Sequence, residues 1–346
     1  MSPLTVAPIT SQSTAKGALF YKALKSGSVQ CQLCPRLCVL PDGFWGNCNA
    51  RKNINGKLFS EVYGRVAAMA IDPIEKKPLF HFFPGTRIFS FGTAGCNLHC
   101  RFCQNHSMAQ SRPDDIPFEK VSPEQIVDAA IKSGCPSIAY TYNEPYIFYE
   151  FVLETAKLAR KNGLKNVMVT NGFCLPGPTK RLYKYIGAAN IDLKGFSDDF
   201  YKKYCDACLN PVLDTILHIK EMGVHVELTN LLIPSLNDDK ESLTTLCNWI
   251  ADSLGSDQII HFSAFHPDHK MGSHPSTPIT KLLMAKAIAE KSGLKYIYLG
   301  NVRYKDSATT FCPMCKKAMI TRDFQVNNLL SKNKCFACNA EIPGVF

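Results

Sequence analysis

The sequence has no long apolar run and is short of acidic residues. No stretch reaches the roughly 18 apolar residues that a membrane-spanning helix needs, so we expect no membrane span and no membrane partner. The 29 acidic residues are outnumbered by 39 Lys and Arg, which leaves a net charge of +10. This balance favours acidic or nucleic-acid partners and carries no information about the fold.

Cysteine, in contrast, is abundant, and 11 of the 16 cysteines fall into three tight groups. In a chain of this length, without an apolar signal core, grouped cysteines are typical of metal ligands in a reducing compartment. A disulfide framework is expected mainly in small secreted domains. We therefore expect a cytoplasmic, metal-binding protein.

The most informative group holds Cys96, Cys100 and Cys103 in a CxxxCxxC spacing. A [4Fe–4S] cluster normally takes four thiolates, so this loop is one ligand short. One iron would stay open to a substrate or a second cofactor. On spacing alone, a zinc site is the alternative.

The other two groups lie near the two ends of the sequence. Two CxxC pairs have the spacing of a structural zinc ribbon, with rubredoxin-like iron as the alternative; they are Cys312, Cys315, Cys335 and Cys338. The N-terminal group suits zinc and a second iron–sulfur cluster equally well, because thiolates bind both; it is Cys31, Cys34, Cys38 and Cys48.

Strand-like and helix-like segments alternate through the middle of the chain. The strand candidates are short and rich in β-branched or aromatic residues; they span 88–93, 137–142, 166–171, 189–194, 225–233, 259–265 and 296–300. Ser122 and Gln125 predict the capping box of a helix between two of them. This alternation predicts parallel βαβ units, and so an α/β fold that is either doubly wound or a barrel.

Polar and reactive side chains follow nearly every predicted strand. Ligands of parallel sheets bind beyond the carboxyl ends of the strands, so these side chains are expected to form one site. Besides the cysteine loop, they include Asn143, Glu144, Asn171, Asp192, Lys194 and His266.

Composition divides the chain into five segments. Residues 1–14 are rich in Ser, Thr and Pro, which predicts a disordered tail. The other predicted segments are an N-terminal cysteine-rich region (15–60), a connector (61–86), the α/β core (87–301) and a four-cysteine ribbon (302–346).

The motifs together resemble the radical S-adenosylmethionine (SAM) superfamily over nearly the whole chain. Within it, they resemble proteins related to pyruvate formate-lyase-activating enzyme that are encoded alongside Memo-like proteins. The motifs are CQLCPR (31–36), DPIEKKP (72–78), CNLHCRFCQN (96–105), TYNEP (141–145), NIDLK (190–194) and YLGN (298–301).

The resemblance implies a partial (β/α) barrel that cleaves SAM reductively to methionine and a 5′-deoxyadenosyl radical. It implies that a [4Fe–4S] cluster binds to Cys96, Cys100 and Cys103. It also implies that SAM is bound by the strand-end residues, with its amine received at Asn143 and Glu144 and its carboxylate at Lys194. The other implied SAM contacts are Asn171, Asp192 and His266.

The resemblance favours activation or modification of a protein substrate. It implies a flavodoxin- or ferredoxin-like electron donor and Memo-like partners. Two alternatives stay open: an RNA-modifying radical SAM enzyme, and a non-enzymatic binding protein with a structural cluster. RNA binding would be favoured by a basic stripe interleaved with aromatic residues, and the sequence shows no clear stripe of this kind. The missing fourth cysteine opposes the non-enzymatic alternative.

Overall fold

The computed structural model describes residues 15–346, so the tail predicted for residues 1–14 lies outside the described residues. The strands are β1 (Lys16–Gly17), β2 (Tyr21–Ala23), β3 (Val29–Cys31), β4 (Val39–Leu40), β5 (Arg51–Ile54), β6 (Lys57–Ser60), β7 (Arg65–Val66), β8 (Ala68–Pro73), β9 (Arg87–Gly92), β10 (Glu119–Lys120), β11 (Ser137–Tyr140), β12 (Lys165–Thr170), β13 (Ala188–Asp192), β14 (His225–Leu232), β15 (Ile259–Ala264), β16 (Tyr296–Gly300), β17 (Thr310–Phe311), β18 (Ala318–Arg322) and β19 (Val326–Asn328). The helices are α1 (His106–Ala109), α2 (Pro123–Lys132), α3 (Tyr149–Lys161), α4 (Pro176–Leu182), α5 (Asp198–Phe200), α6 (Asn210–Glu221), α7 (Lys240–Leu254) and α8 (Ile279–Lys291).

One eight-stranded sheet organises the chain. Its strand order is β16-β15-β14-β13-β12-β11-β9-β8. The pairs from β9 to β16 are parallel, and β8 pairs antiparallel with β9. Parallel neighbours need crossover connections, and helices α2 to α8 lie in these connections. The predicted α/β fold is therefore confirmed.

Each of the seven predicted strands is present, with bounds that differ by at most two residues. The sheet also contains an eighth strand, β8, within the segment predicted as a connector. Its side chains are mostly half-buried, as expected for a strand at the edge of the sheet. Its sequence, AMAIDP, contains only one β-branched residue and no aromatic residue, so it lacks the composition by which the other strands were predicted.

Helix α2 shows why the predicted helices form where they do. The Ser122 hydroxyl accepts a hydrogen bond from the Gln125 backbone N–H (3.3 Å), and the Gln125 side chain accepts one from the Ser122 N–H (2.8 Å). This capping box is confirmed, and a cap of this kind stabilises a helix by about 1 kcal/mol.

Among the described residues, no helix has the length and apolar character needed to span a membrane.

A buried ion pair joins the N-terminal cysteine-rich region to the core. The Arg51 side chain is 1% exposed and pairs with Glu150 on α3, which is 2% exposed. The Glu150 carboxylate also accepts a hydrogen bond from the Leu19 N–H (2.7 Å), and Arg51 donates to the Leu19 carbonyl (2.8 Å). Removing one partner would leave the other charge buried and unpaired, so this contact holds the region firmly in place.

The C-terminal segment packs against the amino ends of the main strands. Its three-stranded sheet has the order β17-β18-β19. Beyond it, the Val345 N–H donates to the His81 carbonyl (2.8 Å), and the Phe83 N–H donates to the Val345 carbonyl (2.7 Å). His81 also contacts the Tyr298 hydroxyl (2.6 Å). The segment therefore lies at the amino ends of the strands, opposite the polar residues that follow their carboxyl ends.

Candidate functional site

A cavity of about 560 Å³ opens at the carboxyl ends of the strands. Eight of the nine residues predicted for this site line it: Cys96, Cys100, Cys103, Asn143, Glu144, Asn171, Asp192 and Lys194. His266, the ninth, is exposed and is not among the lining residues. Its predicted contact with SAM stays a prediction.

Asn143 fastens the start of the cysteine loop to the end of β11. Its side-chain amide donates to the carbonyl of Gly95 (2.8 Å) and to the hydroxyl of Thr93 (3.2 Å). Gly92 permits this close approach, because an added Cβ there would lie 2.4 Å from the Thr141 carbonyl oxygen. The amide of Asn143 therefore positions the loop, a role that its place in the motif did not predict.

The three thiols of the loop differ in their surroundings. Burial raises the pKa of Cys96 well above its usual range and that of Cys103 to about 11. A hydrogen bond with Cys205 instead lowers the pKa of Cys100. The Asn171 side-chain amide lies 3.8 Å from the Cys96 sulfur. Cysteines bind metal as thiolates. A metal that binds this loop must therefore displace the protons of its thiols.

Cys205 is a site residue that the sequence did not predict. It ends a π-helical turn, Tyr201–Cys205, whose carbonyls accept hydrogen bonds from the His99 and Arg101 N–H groups (3.0 and 2.9 Å). Hydrogen bonds to sulfur are one of the features that set the reduction potential of an iron–sulfur cluster. No local pattern signals this contact, because it joins segments that are far apart in the sequence.

Glu144 is a fully buried carboxyl group in the cavity wall. It accepts hydrogen bonds from the Thr170 hydroxyl (2.7 Å) and the N–H groups of Asn171 (2.8 Å) and Tyr146 (3.1 Å). Burial outweighs these bonds and raises the pKa of Glu144 to about 7. A carboxyl group poised near neutrality in a cavity is typical of functional sites.

Lys194 supplies a positive charge to the same cavity. Its ammonium lies 3.0 Å from the Asp192 carboxylate. Burial opposes the charge, but Asp192, Cys100 and Cys205 together outweigh it and hold the pKa of Lys194 well above its usual range. With Glu144 and Lys194, the cavity presents both charges that a zwitterionic amino acid group requires.

The DPIEKKP motif adds a polar cluster to the cavity. The Lys77 ammonium lies 2.7 Å from the Asp72 carboxylate, and the Tyr142 hydroxyl donates to that carboxylate (3.1 Å). Tyr142 has a φ of +73°, a left-handed conformation that is strained for a bulky residue. The Asn105 side chain holds it there by donating to its carbonyl (2.7 Å). The DPIEKKP motif drew attention to Asp72 and Lys77 in the sequence, although it did not predict their contact with Tyr142.

Two different cysteine geometries occur in the chain. The C-terminal sulfurs form close pairs, Cys312 with Cys338 and Cys315 with Cys335, each 3.6 Å apart. Tetrahedral zinc with Zn–S bonds of about 2.3 Å places its sulfurs about 3.8 Å apart, so this group fits a zinc-ribbon-like module. Among residues 15–346, it is the only set of three or more such ligands lying within 4.8 Å of one another.

The sulfurs of Cys96, Cys100 and Cys103 are therefore more widely spaced than one metal ion requires. An iron–sulfur cluster suits this spacing, because each thiolate can bind a different iron. The residues present thus fit a [4Fe–4S] cluster better than they fit zinc.

Comparisons with known proteins indicate the family of the chain. The model of the Radical SAM superfamily matches residues 91–247. An uncharacterized protein of Methanocaldococcus jannaschii is 45% identical over 329 residues, which cover 94% of this chain and 98% of that protein. The pyruvate formate-lyase-activating enzyme of Staphylococcus epidermidis is 26% identical over 207 residues, covering 55% of this chain and 78% of that enzyme.

A solved structure supports the fold. The radical SAM methyltransferase from Sphaerobacter thermophilus has a TM-score of 0.50 and 15% identity, covering 66% of this chain and 69% of that chain. The predicted radical SAM fold is confirmed, whereas the association with Memo-like proteins stays a prediction. The chain belongs to the radical SAM superfamily and is an enzyme similar to the pyruvate formate-lyase-activating enzymes.

Proposed function

We propose that this enzyme cleaves SAM reductively at a [4Fe–4S] cluster bound by Cys96, Cys100 and Cys103. One observation carries the proposal: the three thiols share a cavity with the Glu144 carboxyl group and the Lys194 ammonium. When bound, the cluster would supply one electron to the SAM sulfonium, giving methionine and a 5′-deoxyadenosyl radical. Three protein ligands leave one iron available for SAM.

The strand-end residues would orient SAM by its charges. The Lys194 ammonium suits the SAM carboxylate, because an ammonium acts as a compact point charge. Glu144 would attract the SAM amine. Asn171 joins the two parts of the site, since its backbone N–H donates to Glu144 (2.8 Å) and its side chain donates to Asn97 (2.9 Å), the neighbour of Cys96.

Lys194→Ala is expected to weaken SAM binding by about tenfold to a hundredfold. This range follows from the roughly 1.5–3 kcal/mol that a hydrogen bond to a charged group contributes. Formation of 5′-deoxyadenosine should fall further, because mispositioning the reacting bond lowers the rate. Anaerobic calorimetry and a product assay would measure both. The control is Lys202→Ala, an exposed lysine on the adjacent turn; equal SAM affinity in Lys194→Ala and the control would contradict the assignment.

SAM affinity is expected to fall as the pH drops from about 8 to about 6. The pKa of Glu144 lies near 7, so the carboxylate that attracts the SAM amine is present above this pH and protonated below it. The loss should approach about tenfold for each pH unit below the pKa, as for a single titrating group. Glu144→Gln should remove this dependence. A wild-type affinity that is constant over this pH range would argue against the role of Glu144.

We propose further that the substrate is a protein and that a flavodoxin- or ferredoxin-like donor supplies the electron. The similarity to pyruvate formate-lyase-activating enzymes supports a protein target, since those enzymes are named for activating another enzyme. Reduced enzyme and unlabelled SAM, added separately to the protein, RNA and small-molecule fractions of a deuterated lysate, test this proposal, because the radical takes a hydrogen atom from its substrate. Deuterium transferred from the protein fraction into 5′-deoxyadenosine supports it, whereas deuterium transferred from RNA or from a metabolite would replace it.

A further inference from the structure

We propose that the four N-terminal cysteines bind a second iron–sulfur cluster, not a zinc ion. These cysteines line one cavity with Leu33, Ile147 and Arg51; they are Cys31, Cys34, Cys38 and Cys48. This cavity is distinct from the cavity at the carboxyl ends of the strands, which we call the SAM cavity. No cysteine lines both. Each cavity therefore has its own set of sulfur ligands.

The spacing of the sulfurs argues against a single ion. A tetrahedral zinc site places its four sulfurs about 3.8 Å apart, and the C-terminal group matches that spacing. Among residues 15–346, no three of the N-terminal sulfurs lie within 4.8 Å of one another. The four thiols surround a common space that is too wide for one ion to reach them all. A cluster fills such a space, because its thiolates bind different irons.

Arg51 gives a second, independent indication. Its guanidinium is buried and donates to the Cys31 sulfur at 3.8 Å. Its Nε–H has no hydrogen-bond partner among the described residues, although it is fully buried. A buried donor without an acceptor costs about 1–3 kcal/mol. The sulfides of a cluster are acceptors for such donors, and hydrogen bonds to sulfur are a regular feature of iron–sulfur sites.

The N-terminal cavity adjoins the cysteine loop of the catalytic site. Asn97 lines the N-terminal cavity, while the preceding residue, Cys96, lines the SAM cavity. The Arg36 Nε–H donates to the Asn97 carbonyl (2.6 Å), and a Cβ added to Gly95 would lie 2.3 Å from the Cys48 carbonyl oxygen. An experiment must therefore remove the ligands of each site separately.

The decisive variant is Cys96→Ala/Cys100→Ala/Cys103→Ala, which leaves the N-terminal cysteines intact. After anaerobic reconstitution, we expect it to keep about half of the wild-type iron and acid-labile sulfide, as for one of two clusters. Its reduced form should show an EPR signal that SAM does not change. Adding Cys31→Ser and Cys34→Ser to this triple variant should remove the remaining sulfide. The matched control is Cys208→Ser in the wild-type protein, which lies outside the three groups and should keep both clusters.

Zinc and sulfide analysis would identify the opposite result. A triple variant without acid-labile sulfide overturns the proposal, and so does zinc rising to about two ions per chain, one at each of the two four-cysteine sites. Iron at the C-terminal group would not confuse the measurement, because a single iron ion bound by four cysteines carries no sulfide. If the variants of Cys31 and Cys34 are insoluble, the sulfide content of the triple variant decides by itself.

Discussion

Cys100→Ala is expected to reduce the formation of 5′-deoxyadenosine from SAM to background, a loss of more than about a hundredfold. Displacing a reacting group by about 1 Å can already cost a hundredfold, and this substitution removes a cluster ligand altogether. The loop would retain two ligands, too few to hold a cluster that normally takes four. Product formation with dithionite-reduced enzyme measures the effect, together with the EPR signal that SAM perturbs.

Cys205→Ala provides the matched control, because it removes the hydrogen bond to Cys100 and keeps all three ligands. It should retain the cluster and the SAM-responsive signal while shifting the reduction potential, since hydrogen bonds to sulfur tune that potential. Near-wild-type turnover by Cys100→Ala would show that this thiol does not hold the cluster.

Cys338→Ser is expected to remove about one zinc ion per chain and to lower the melting temperature of the full-length protein. Structural zinc sites contribute on the order of 10 kcal/mol to folding, and four protein ligands leave no open position for catalysis. The loss should extend to the main sheet, because Arg322 of this module lies 4.3 Å from the ring centre of Phe80, whose N–H donates to Glu227 on β14 (2.9 Å). Metal analysis and calorimetry measure these two changes.

Met314→Ser is the control for this experiment. Met314 lies between Cys312 and Cys315 in the sequence and is 75% exposed, so its replacement should leave metal content and melting temperature nearly unchanged. A zinc content that is unchanged in Cys338→Ser would rule out the structural zinc site. Iron in place of zinc at this site of the wild-type protein would rule it out as well.

The site residues at the carboxyl ends of the strands could be predicted because the sequence patterns that indicate them are local. Each buried parallel strand carries a short apolar run, and polar residues such as Glu144 and Lys194 follow the strands directly. The rule that ligands bind at the carboxyl ends of parallel strands then brings these residues together without any knowledge of distances. His266 satisfies the same rule, yet its side chain is exposed, since following a strand does not determine where a side chain points.

The remaining features depend on contacts between distant segments. Strand β8 is half-buried at the edge of the sheet, and Cys205 reaches the cysteine loop from another connection. The choice between zinc and a cluster at the N-terminal cysteines could not be made from spacing in the sequence, because thiolates are soft ligands that suit both. The cluster proposed for them rests on the spacing of their sulfur atoms, which arises only from the folded chain.

The packing of the C-terminal segment on residues 80–83 has a consequence for folding kinetics. The hydrogen bond between His81 and the Pro343 carbonyl (2.7 Å) joins positions 262 residues apart. Contacts of such long sequence separation form slowly, because the entropy of closing the chain is lost before the contact stabilises it. Thr310 of the segment is hydrogen-bonded to the hydroxyl of Tyr298 on the last main strand (2.7 Å), so docking must follow assembly of the sheet. Refolding should therefore pass through an intermediate in which the sheet is formed but its amino end is still open to water.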